Sequence, residues 1–424
     1  MGAFTKLFSR LRITSDPNVS TQTSAVITAD TTNANLVIAP NGTGALVASI
    51  PDGTATGGNP RGANAVDLQM NRNYEGQVAN NYAVIVGGYR NTASGEESIV
   101  VGGSLNTANG YRAFIGGGNN NTASGVNSII GGGNQNTAFT QYSTVSGGQS
   151  NTASTYTHAT VVGGQTNTSS GQHSISGGSN NVASGNEASV ALGIGNTASG
   201  ARSVAMGALC TASGLNATSF GRQNQATGIC SFIGGGETNQ ATADCSVAFG
   251  TEALANQFGA ITNANGRFQY KGDAQVVNLL ARKQDSLTTG ATTKLSLDGT
   301  GTTSLINFGL VGSNAVSFLV TIKWSAGINN ANGAAGISND DCITQTDQIM
   351  MKKLRFGALS LVGTTSTLVT KGDASMTTSA MNYSVLGNSE LVLNYQAPTF
   401  ASGGPITVRV LASIEVVSLT TAPF

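Results

Sequence analysis

The chain has 424 residues, of which 57 are glycine and only 9% are charged, and its formal net charge at pH 7 is zero. With no basic excess and no long Lys/Arg run, we expect no nucleic-acid partner, and no apolar run approaches the about 20 residues of a membrane span. The two histidines and four cysteines form neither a C-x-x-C pair nor a zinc pattern, so we expect no cofactor and no metal.

Residues 1–20 are predicted to be an N-terminal docking segment. Met1 to Lys6 lack the apolar core of a secretory signal, so we expect synthesis in the cytoplasm. The apolar residues in this segment fall at helical spacing, and basic residues lie among them. The apolar residues are Phe4, Leu7, Phe8 and Leu11. Two interpretations stay open, namely a segment that anchors the protein to a larger assembly and a frayed basic tail.

Residues 21–80 are predicted to form a β-rich N-terminal stalk. Short β-prone runs at 25–27, 36–38 and 45–47 alternate with the turn pairs Asn41-Gly42 and Asp52-Gly53. Such pairs connect adjacent strands in hairpins, because glycine adopts a positive φ at little cost.

Residues 81–257 repeat one short phrase about every fifteen residues. Copies are Ser-Ile-Val-Val-Gly at 98–102, Ser-Val-Ala-Leu-Gly at 189–193, Ser-Val-Ala-Met-Gly at 203–207 and Ser-Val-Ala-Phe-Gly at 246–250. A second phrase, Asn-Thr-Ala-Ser-Gly, lies between the copies at 91–95, 121–125 and 196–200 and is expected to supply a return strand and a turn. This short period predicts an all-β fold, a parallel β-roll (β-solenoid) with one coil per repeat. About twelve coils at strand spacing make a rod about 55–60 Å long.

Apolar residues occupy both faces of the predicted strand in each coil. Because successive side chains of a strand point to opposite faces, Ile99, Ile129, Val190, Val204 and Val247 are expected to share one face. Residue sizes compensate between the two faces, which indicates that both are buried. A roll has one inside, so the second face predicts subunits packed around an axis in a cyclic oligomer. The residues expected to pack in the repeats are Ile99, Val101, Ile129, Val190, Leu192, Val204, Met206, Val247 and Phe249.

A column of polar and aromatic residues stands five positions before the repeated glycine: Tyr82, Glu97, Arg112, Asn127, Tyr142, His158 and His173. We expect an exposed or intersubunit stripe. Two other possibilities are contact with a glycan and histidines that meet around the oligomer axis. Cys230 and Cys245 stand in the same column about 4.8 Å apart, which is within disulfide range, but a cytoplasmic origin favours free thiols.

The sequence at 189–207, Ser-Val-Ala-Leu-Gly followed by Ala-Ser-Gly and Ser-Val-Ala-Met-Gly, resembles the head repeat of trimeric autotransporter adhesins (YadA-like heads). The resemblance covers about 170 of the 424 residues and implies a left-handed parallel β-roll in a homotrimer. The chain departs from that family in showing no secretion signal, long coiled-coil stalk or recognisable membrane-anchor barrel. Similar repeats occur in bacteriophage tail fibres, which are trimers with a virion-docking amino terminus, and that setting fits this chain better.

Residues 258–285 are predicted to be a neck or linker, and residues 286–424 a C-terminal β-sandwich for recognition or trimerisation. The run at 275–282 is compatible with a neck helix or a first strand, and we favour a strand. Beyond it, apolar runs recur between turn residues at 316–322, 359–362, 389–395 and 406–417, which is typical of a sandwich.

The sequence shows no catalytic constellation. Residues in the adjacent pairs Glu96-Glu97 and Asp340-Asp341 point to opposite faces of a strand, so we expect no enzyme. The expected function is that of a trimeric bacteriophage tail fibre, a virion protein made in the host cytoplasm. Its N terminus would dock on a tail or baseplate protein, and its distal end would bind a host-surface glycan or another outer-membrane component. The alternatives are a bacterial trimeric surface adhesin, a structural virion decoration protein and a polysaccharide-degrading tailspike.

Overall fold

A computed structural model of the chain describes residues 11–15, 25–29, 42–49, 51–54, 57–72, 74–190, 192–267, 271–272, 274–288, 290–297, 306–307, 316–331, 341–353, 359–362, 366–372, 376, 379–386, 390–399 and 405–420. Its forty strands confirm the all-β prediction. The predicted docking residues Phe4, Leu7 and Phe8 and the run at 36–38 lie outside the described residues. Leu11 belongs to strand β1 (Leu11–Ser15), which pairs antiparallel with β2 (Ala25–Ala29).

The rod contains strands β3 to β30. In chain order they are β3 (Leu46–Val47), β4 (Val66–Asp67), β5 (Val84–Ile85), β6 (Thr92–Ala93), β7 (Ile99–Val100), β8 (Thr107–Ala108), β9 (Phe114–Ile115), β10 (Thr122–Ala123), β11 (Ile129–Ile130), β12 (Thr137–Ala138), β13 (Thr144–Val145), β14 (Thr152–Ala153), β15 (Thr160–Gln165), β16 (Thr168–Ser169), β17 (Ile175–Ser179), β18 (Val182–Ala183), β19 (Ser189–Val190), β20 (Gly193–Ile194), β21 (Thr197–Ala198), β22 (Val204–Ala208), β23 (Thr211–Ala212), β24 (Thr218–Arg222), β25 (Gln225–Ala226), β26 (Phe232–Ile233), β27 (Gln240–Ala241), β28 (Val247–Thr251), β29 (Leu254–Ala255) and β30 (Ile261–Asn265).

These strands form two parallel ladders, so the predicted solenoid is confirmed. The back ladder has twelve strands, β6, β8, β10, β12, β14, β16, β18, β21, β23, β25, β27 and β29, and the second phrase of the repeat supplies it as predicted. The other strands form the front ladder, in which β7 pairs with β9 through Ile99 and Phe114. Parallel pairing already begins between β3 and β4, within the segment expected to be a stalk.

One column of side chains from the front ladder fills the interior of the rod. Its members are completely buried: Ile85, Val100, Ile115, Ile130, Val145, Val161, Ser176, Val190, Ala205, Ser219, Ile233 and Ala248. They pack against the alanines of the back ladder, such as Ala93 and Ala108. The opposite face of the front ladder points outward from the single chain. We call it the outer apolar column, and it includes Val101, Ile129 and Leu192, which are 42%, 44% and 71% exposed.

The register of the coil that contains Val190 differs from the sequence alignment. Ser189, not Val190, pairs with Ile175 and Val204, so Val190 lies in the interior instead of on the face that carries Ile99 and Ile129. The number of residues between the strand and the paired glycine differs between repeats. Gly193 pairs with Gly207, but Ser189 precedes Gly193 by four positions whereas Val204 precedes Gly207 by three. Counting back from the glycine therefore shifts the strand by one residue, which reverses the direction of every side chain.

A ladder of asparagines runs along the interior beside the back strands. Completely buried members are Asn91, Asn106, Asn121, Asn136, Asn151, Asn167, Asn181, Asn196, Asn224 and Asn239. In a typical coil the side-chain amide of Asn106 donates to the carbonyls of Gly102 and Gly118 at 3.0 and 2.9 Å, and its oxygen accepts the backbone N–H of Asn121 at 3.1 Å. Cys210 and Ala253 stand at the equivalent positions of two coils. Their backbone N–H groups donate to the Oδ1 atoms of Asn196 and Asn239, but they have no side-chain amide to continue the ladder.

A buried ion cluster closes the N-terminal end of the interior. Asp67 pairs with Ile85, so its side chain occupies the interior position one coil before Ile85. Arg61 Nε and Arg72 Nη2 lie 2.9 and 2.8 Å from Asp67 Oδ2, and the three side chains are at most 1% exposed. Loss of water lowers the pKa of Arg61, and the charge of Asp67 opposes that shift. Hydrogen bonds to the carbonyls of Gly57 and Asn59 hold Arg61 in place, which makes burial of the cluster tolerable.

The C-terminal end of the rod continues directly into a two-sheet domain. Its strands are β31 (Gln275–Leu287), β32 (Thr292–Leu295), β33 (Ile306–Asn307), β34 (Val316–Asn330), β35 (Cys342–Lys353), β36 (Leu359–Leu361), β37 (Ser366–Gly372), β38 (Ala380–Leu386), β39 (Glu390–Gln396) and β40 (Ile406–Thr420). The preferred strand at 275–282 is confirmed: β31 pairs antiparallel with β30 and with β40, so it covers the free edge of the rod.

The domain is the predicted β-sandwich. One sheet runs β31-β40-β34-β35, with β36 and β37 beside β35, and the other contains β32, β33, β38 and β39. Both sheets contribute to one core, which includes Ile322, Trp324 and Met351 from the first and Leu393 and Tyr395 from the second.

Candidate functional site

The predicted stripe forms one column along a corner of the rod. Every member has a left-handed backbone, with φ between 53° at Tyr82 and 62° at His158. Non-glycine residues seldom adopt this conformation, and here the same corner is repeated from coil to coil. Backbone bonds connect the corner to the preceding coil, as where the N–H of Arg112 donates to Glu96 and that of His158 donates to Gln141. The side chains are exposed or half-buried, and their role as an exposed or intersubunit stripe stays a prediction.

One part of this stripe is a stack of three rings. Tyr142 and His158 have ring centroids 4.8 Å apart at an angle of 21°, and His158 and His173 are 4.7 Å apart at 22°. The spacing equals that of the coils, so the backbone ladder itself sets the stack. Because each ring stacks on the next, both faces of His158 are covered and the ladder presents ring edges to solvent.

A second part of the stripe is a charged cluster. Arg112 Nε lies 2.6 Å from Glu97 Oε2, and Tyr111 donates its hydroxyl to Glu97 Oε1 at 3.0 Å. The guanidinium of Arg112 also stands 4.6 Å from the centre of the Tyr111 ring. The hydrogen bond from Arg112 lowers the pKa of Glu97, whereas desolvation raises the pKa of Tyr111. Glu97 is therefore held as a paired carboxylate, which suits binding better than proton transfer.

The cysteine pair predicted in the same column carries free thiols. Cys230 and Cys245 are exposed, and both have the left-handed backbone of the stripe. Desolvation raises the pKa of Cys245, and the neighbouring Cys230 adds to the shift. In the coil between those of His173 and Arg202, the left-handed residue is Glu187, one position earlier than a count back from Gly193 gives, because of the register change described above.

The residues predicted to pack in the repeats occupy two environments. Val190 lies in the interior, and the others lie on the outer side of the front ladder. Leu192 is the most exposed of them at 71%, and Val101, Ile129 and Phe249 are exposed by about two fifths. Ile99, Val204, Met206 and Val247 are half-buried. Their burial between subunits stays a prediction.

A buried polar cluster in the sandwich was not foreseen from the sequence. Asp347 is 1% exposed and accepts hydrogen bonds from Trp324 Nε1 at 3.0 Å, Gln345 Nε2 at 2.7 Å and the Tyr383 hydroxyl at 2.5 Å. Burial, and then the bond to Asp347, raises the pKa of Tyr383 far above its usual value. Tyr383 lies in β38 and Asp347 in β35, so the carboxylate joins the two sheets. In the sequence, the only hint of this polar cluster was the single tryptophan of the chain.

In the part of the chain that the structure describes, no three or more His, Cys, Asp or Glu side chains are grouped to hold a metal ion. Within the described residues, no helix is long and apolar enough to cross a membrane. Glu96 is exposed beside the paired Glu97, and Asp340 lies outside the described residues.

Comparison with known proteins adds the following. No family model matches the sequence, and no curated protein matches it. Among solved structures, the chain is similar to the crystal structure of the Acinetobacter baumannii phage AM24 tailspike protein, with 10% identity and a TM-score of 0.24 over 88% of this chain and 69% of that chain. A similarity of this extent assigns no function. The resemblance of the repeats to YadA-like heads stays a prediction.

Proposed function

We propose that the protein is a homotrimeric, non-enzymatic fibre of a bacteriophage tail, which docks on the virion by its N terminus and binds a host-surface receptor through its distal end. The observation that carries the proposal is the outer apolar column of the rod. Exposed apolar residues recur along its whole length, from Val86 at 49% through Val162 at 57% and Leu192 at 71% to Phe249 at 39%.

An apolar surface of this shape requires a cover. Large continuous apolar patches on a single chain mark interaction surfaces, because water contact with them costs about 25 cal/mol per Å². The column follows one face of the front ladder and recurs in most coils, so a partner must match its length and spacing. Another copy of the same rod meets that requirement, and closed symmetry around an axis gives every copy the same contact. The YadA-like resemblance points to three copies.

The two ends of the rod fit a division of labour. The Arg61–Asp67–Arg72 cluster closes the N-terminal end. At the C-terminal end, β31 of the sandwich pairs with β30 of the rod. The rod thus acts as a stiff spacer between a docking end and a recognition domain. Three recognition sites on one axis gain avidity if the host surface lets them engage together.

Sedimentation of the purified chain tests the assembly. We expect a species of three times the 42.6 kDa chain mass. Leu192→Asp should dissociate it, because a charge at the centre of the covered column would be buried without a partner. Phe139→Asp is the matched control, since Phe139 is 61% exposed and lies after a back-ladder strand, away from the column. A wild-type monomer, or equal behaviour of the two variants, would overturn the proposal.

Adsorption to bacterial envelopes tests the function. The full chain should bind envelopes of its host strains without shortening their polysaccharides. Loss of polysaccharide length during incubation would instead support a depolymerising tailspike. Absence of binding to every envelope by a well-formed trimer would favour a structural decoration protein. Recovery of the protein on the surface of uninfected bacteria would favour an adhesin.

A further inference from the structure

The outer face of the long-strand sheet carries a basic groove. Strands β31, β40 and β34 lie side by side there, with Arg282 opposite Leu411, Gln284 opposite Arg409, and Leu411 opposite Ser325. These five residues, together with Lys283 and Val410, line a cavity of about 590 Å³, which we call the basic groove. Its volume falls within the about 300–1,000 Å³ of small-ligand sites.

A second cavity of about 330 Å³ on the same sheet extends this surface. Lys323, Ser325, Thr344 and Thr346 line it, and Ser325 belongs to both cavities. The hydroxyls of Ser325 and the two threonines can donate and accept hydrogen bonds beside the cations. The combined surface is elongated across four neighbouring strands, which suits an extended ligand.

The charges of this surface are of one sign. No carboxylate lines either cavity, and within the described part of the chain Arg282, Lys323 and Arg409 form no ion pair. Glu415 lies further along β40, opposite Asn278 and Thr321. Because the whole chain has a formal net charge of zero, attraction of an anion here is local and does not follow from the overall charge.

The two arginines are spaced for a repeating anion. Strand geometry puts their Cα atoms about 8 Å apart, on adjacent strands and two residues out of register. The Nε of Arg409 donates to Gln284 Oε1 at 2.8 Å, which fixes its guanidinium at the edge of the groove. Like charges directly opposite each other destabilise a sheet, and these two lie on the adjacent diagonal of one face, so an opposite charge between them would relieve their repulsion.

We propose that the basic groove binds an acidic polysaccharide. The proposal deepens the proposed function, on which it rests, by naming the class of receptor. Arginine guanidiniums match carboxylates with two parallel hydrogen bonds, and the serine and threonine hydroxyls match sugar hydroxyls. Exposed Leu411 at the centre of the groove offers an apolar contact to the carbon face of a sugar ring.

Binding of defined polymers to the full chain tests the proposal. The probes are oligogalacturonate as the carboxylated chain, dextran sulfate as a sulfated chain, and neutral dextran. We expect oligogalacturonate to bind, neutral dextran not to bind, and the affinity to fall about tenfold or more between about 50 mM and about 500 mM salt. The variant Arg282→Gln/Arg409→Gln should lose about tenfold or more in affinity, because both charged contacts are removed.

A matched control removes two cations elsewhere. Arg222→Gln/Arg267→Gln has the same net charge as the groove variant, and those arginines pair with Glu237 and Glu252 on the rod. The control should bind as the wild type does. Thermal unfolding separates binding from folding, since removing two unneutralised like charges should leave the melting temperature of the groove variant unchanged or raised.

Three results would overturn the proposal: no binding of either acidic polymer, equal losses in the groove variant and the control, or tighter binding of duplex DNA than of both polysaccharides. Equal binding of oligogalacturonate and dextran sulfate would support recognition by charge, and preference for oligogalacturonate would support carboxylate recognition. If a trimer of the groove variant adsorbs to envelopes as well as the wild type does, the basic groove is not the receptor site, and the proposed fibre function is unaffected. If the wild type is a monomer that still binds the polymers, the proposed fibre function is refuted and the binding of acidic polysaccharide is kept.

Discussion

Removal of one interior amide should weaken the rod strongly. Asn121 is completely buried, and its Nδ2 donates to the carbonyls of Gly117 and Gly133 at 3.1 and 3.0 Å. Its Oδ1 accepts the backbone N–H of Asn136 at 2.9 Å. The substitution Asn121→Ala removes these three bonds and a fourth, from Nδ2 to Asn106 Oδ1 at 3.0 Å. It leaves three backbone groups without this partner in a place that water reaches poorly.

The magnitude follows from these bonds. A typical hydrogen bond contributes about 1 kcal/mol net, and a buried group left unsatisfied costs about 1–3 kcal/mol. The loss of these bonds therefore corresponds to about 3 kcal/mol or more in the free energy of unfolding. Because each coil contacts only its neighbours, the loss should be concentrated in the coils around residue 121.

Denaturant unfolding combined with hydrogen exchange measures this loss. The control is Asn119→Ala, which removes an exposed asparagine two residues away and should change the free energy of unfolding by less than about 0.5 kcal/mol. Exchange should accelerate most at the amide of Asn136. If Asn121→Ala and Asn119→Ala unfold at the same denaturant concentration, the asparagine ladder does not stabilise the rod and the reasoning is refuted.

Three further predictions concern other sites. Cys210→Asn should restore the missing rung and raise the free energy of unfolding by about 1 kcal/mol, and an unchanged or lower unfolding midpoint would contradict this. Tyr383→Phe should lower it by about 1–3 kcal/mol, seen as earlier thermal unfolding of the sandwich, because Asp347 loses a buried donor. Alkylation of Cys245 should set in at higher pH than that of an ordinary thiol, since its raised pKa delays thiolate formation, and in Cys230→Ser this delay should shrink.

The asparagine ladder also explains how so uncharged and glycine-rich a chain forms a stable rod. The interior is one side chain wide, with small alanines on the back strands, so it buries little apolar area per residue. Hydrogen bonds along the rod compensate, and glycines allow the coils to approach. At Gly103, with φ of +81°, an added Cβ would lie 2.1 Å from the carbonyl oxygen of Gly118. No side chain fits there, which is why the repeat keeps glycine.

The sequence by itself determined the two ladders of the rod. Each coil repeats the same local pattern, so the period of about fifteen residues carries over directly into stacked strands, and the corner that holds Tyr142, His158 and His173 recurs with it. Four strands of the sandwich, β34, β36, β39 and β40, overlap the apolar runs expected at 316–322, 359–362, 389–395 and 406–417, because such runs are local. The strand at 275–282 was favoured over a helix, and its pairing with both β30 and β40 shows why it is a strand.

Only the tertiary structure decided the register around Val190, the ion cluster at Asp67, the polar cluster at Asp347 and the basic groove. The pairing of Ser189 with Val204 depends on where a coil takes up one extra residue, and counting along the chain cannot locate it. Arg409 and Gln284 meet across 125 positions of sequence. Such contacts arise from strand order and not from a local pattern. The repeat therefore predicts the rod, whereas the surface of the sandwich depends on how distant strands are brought side by side.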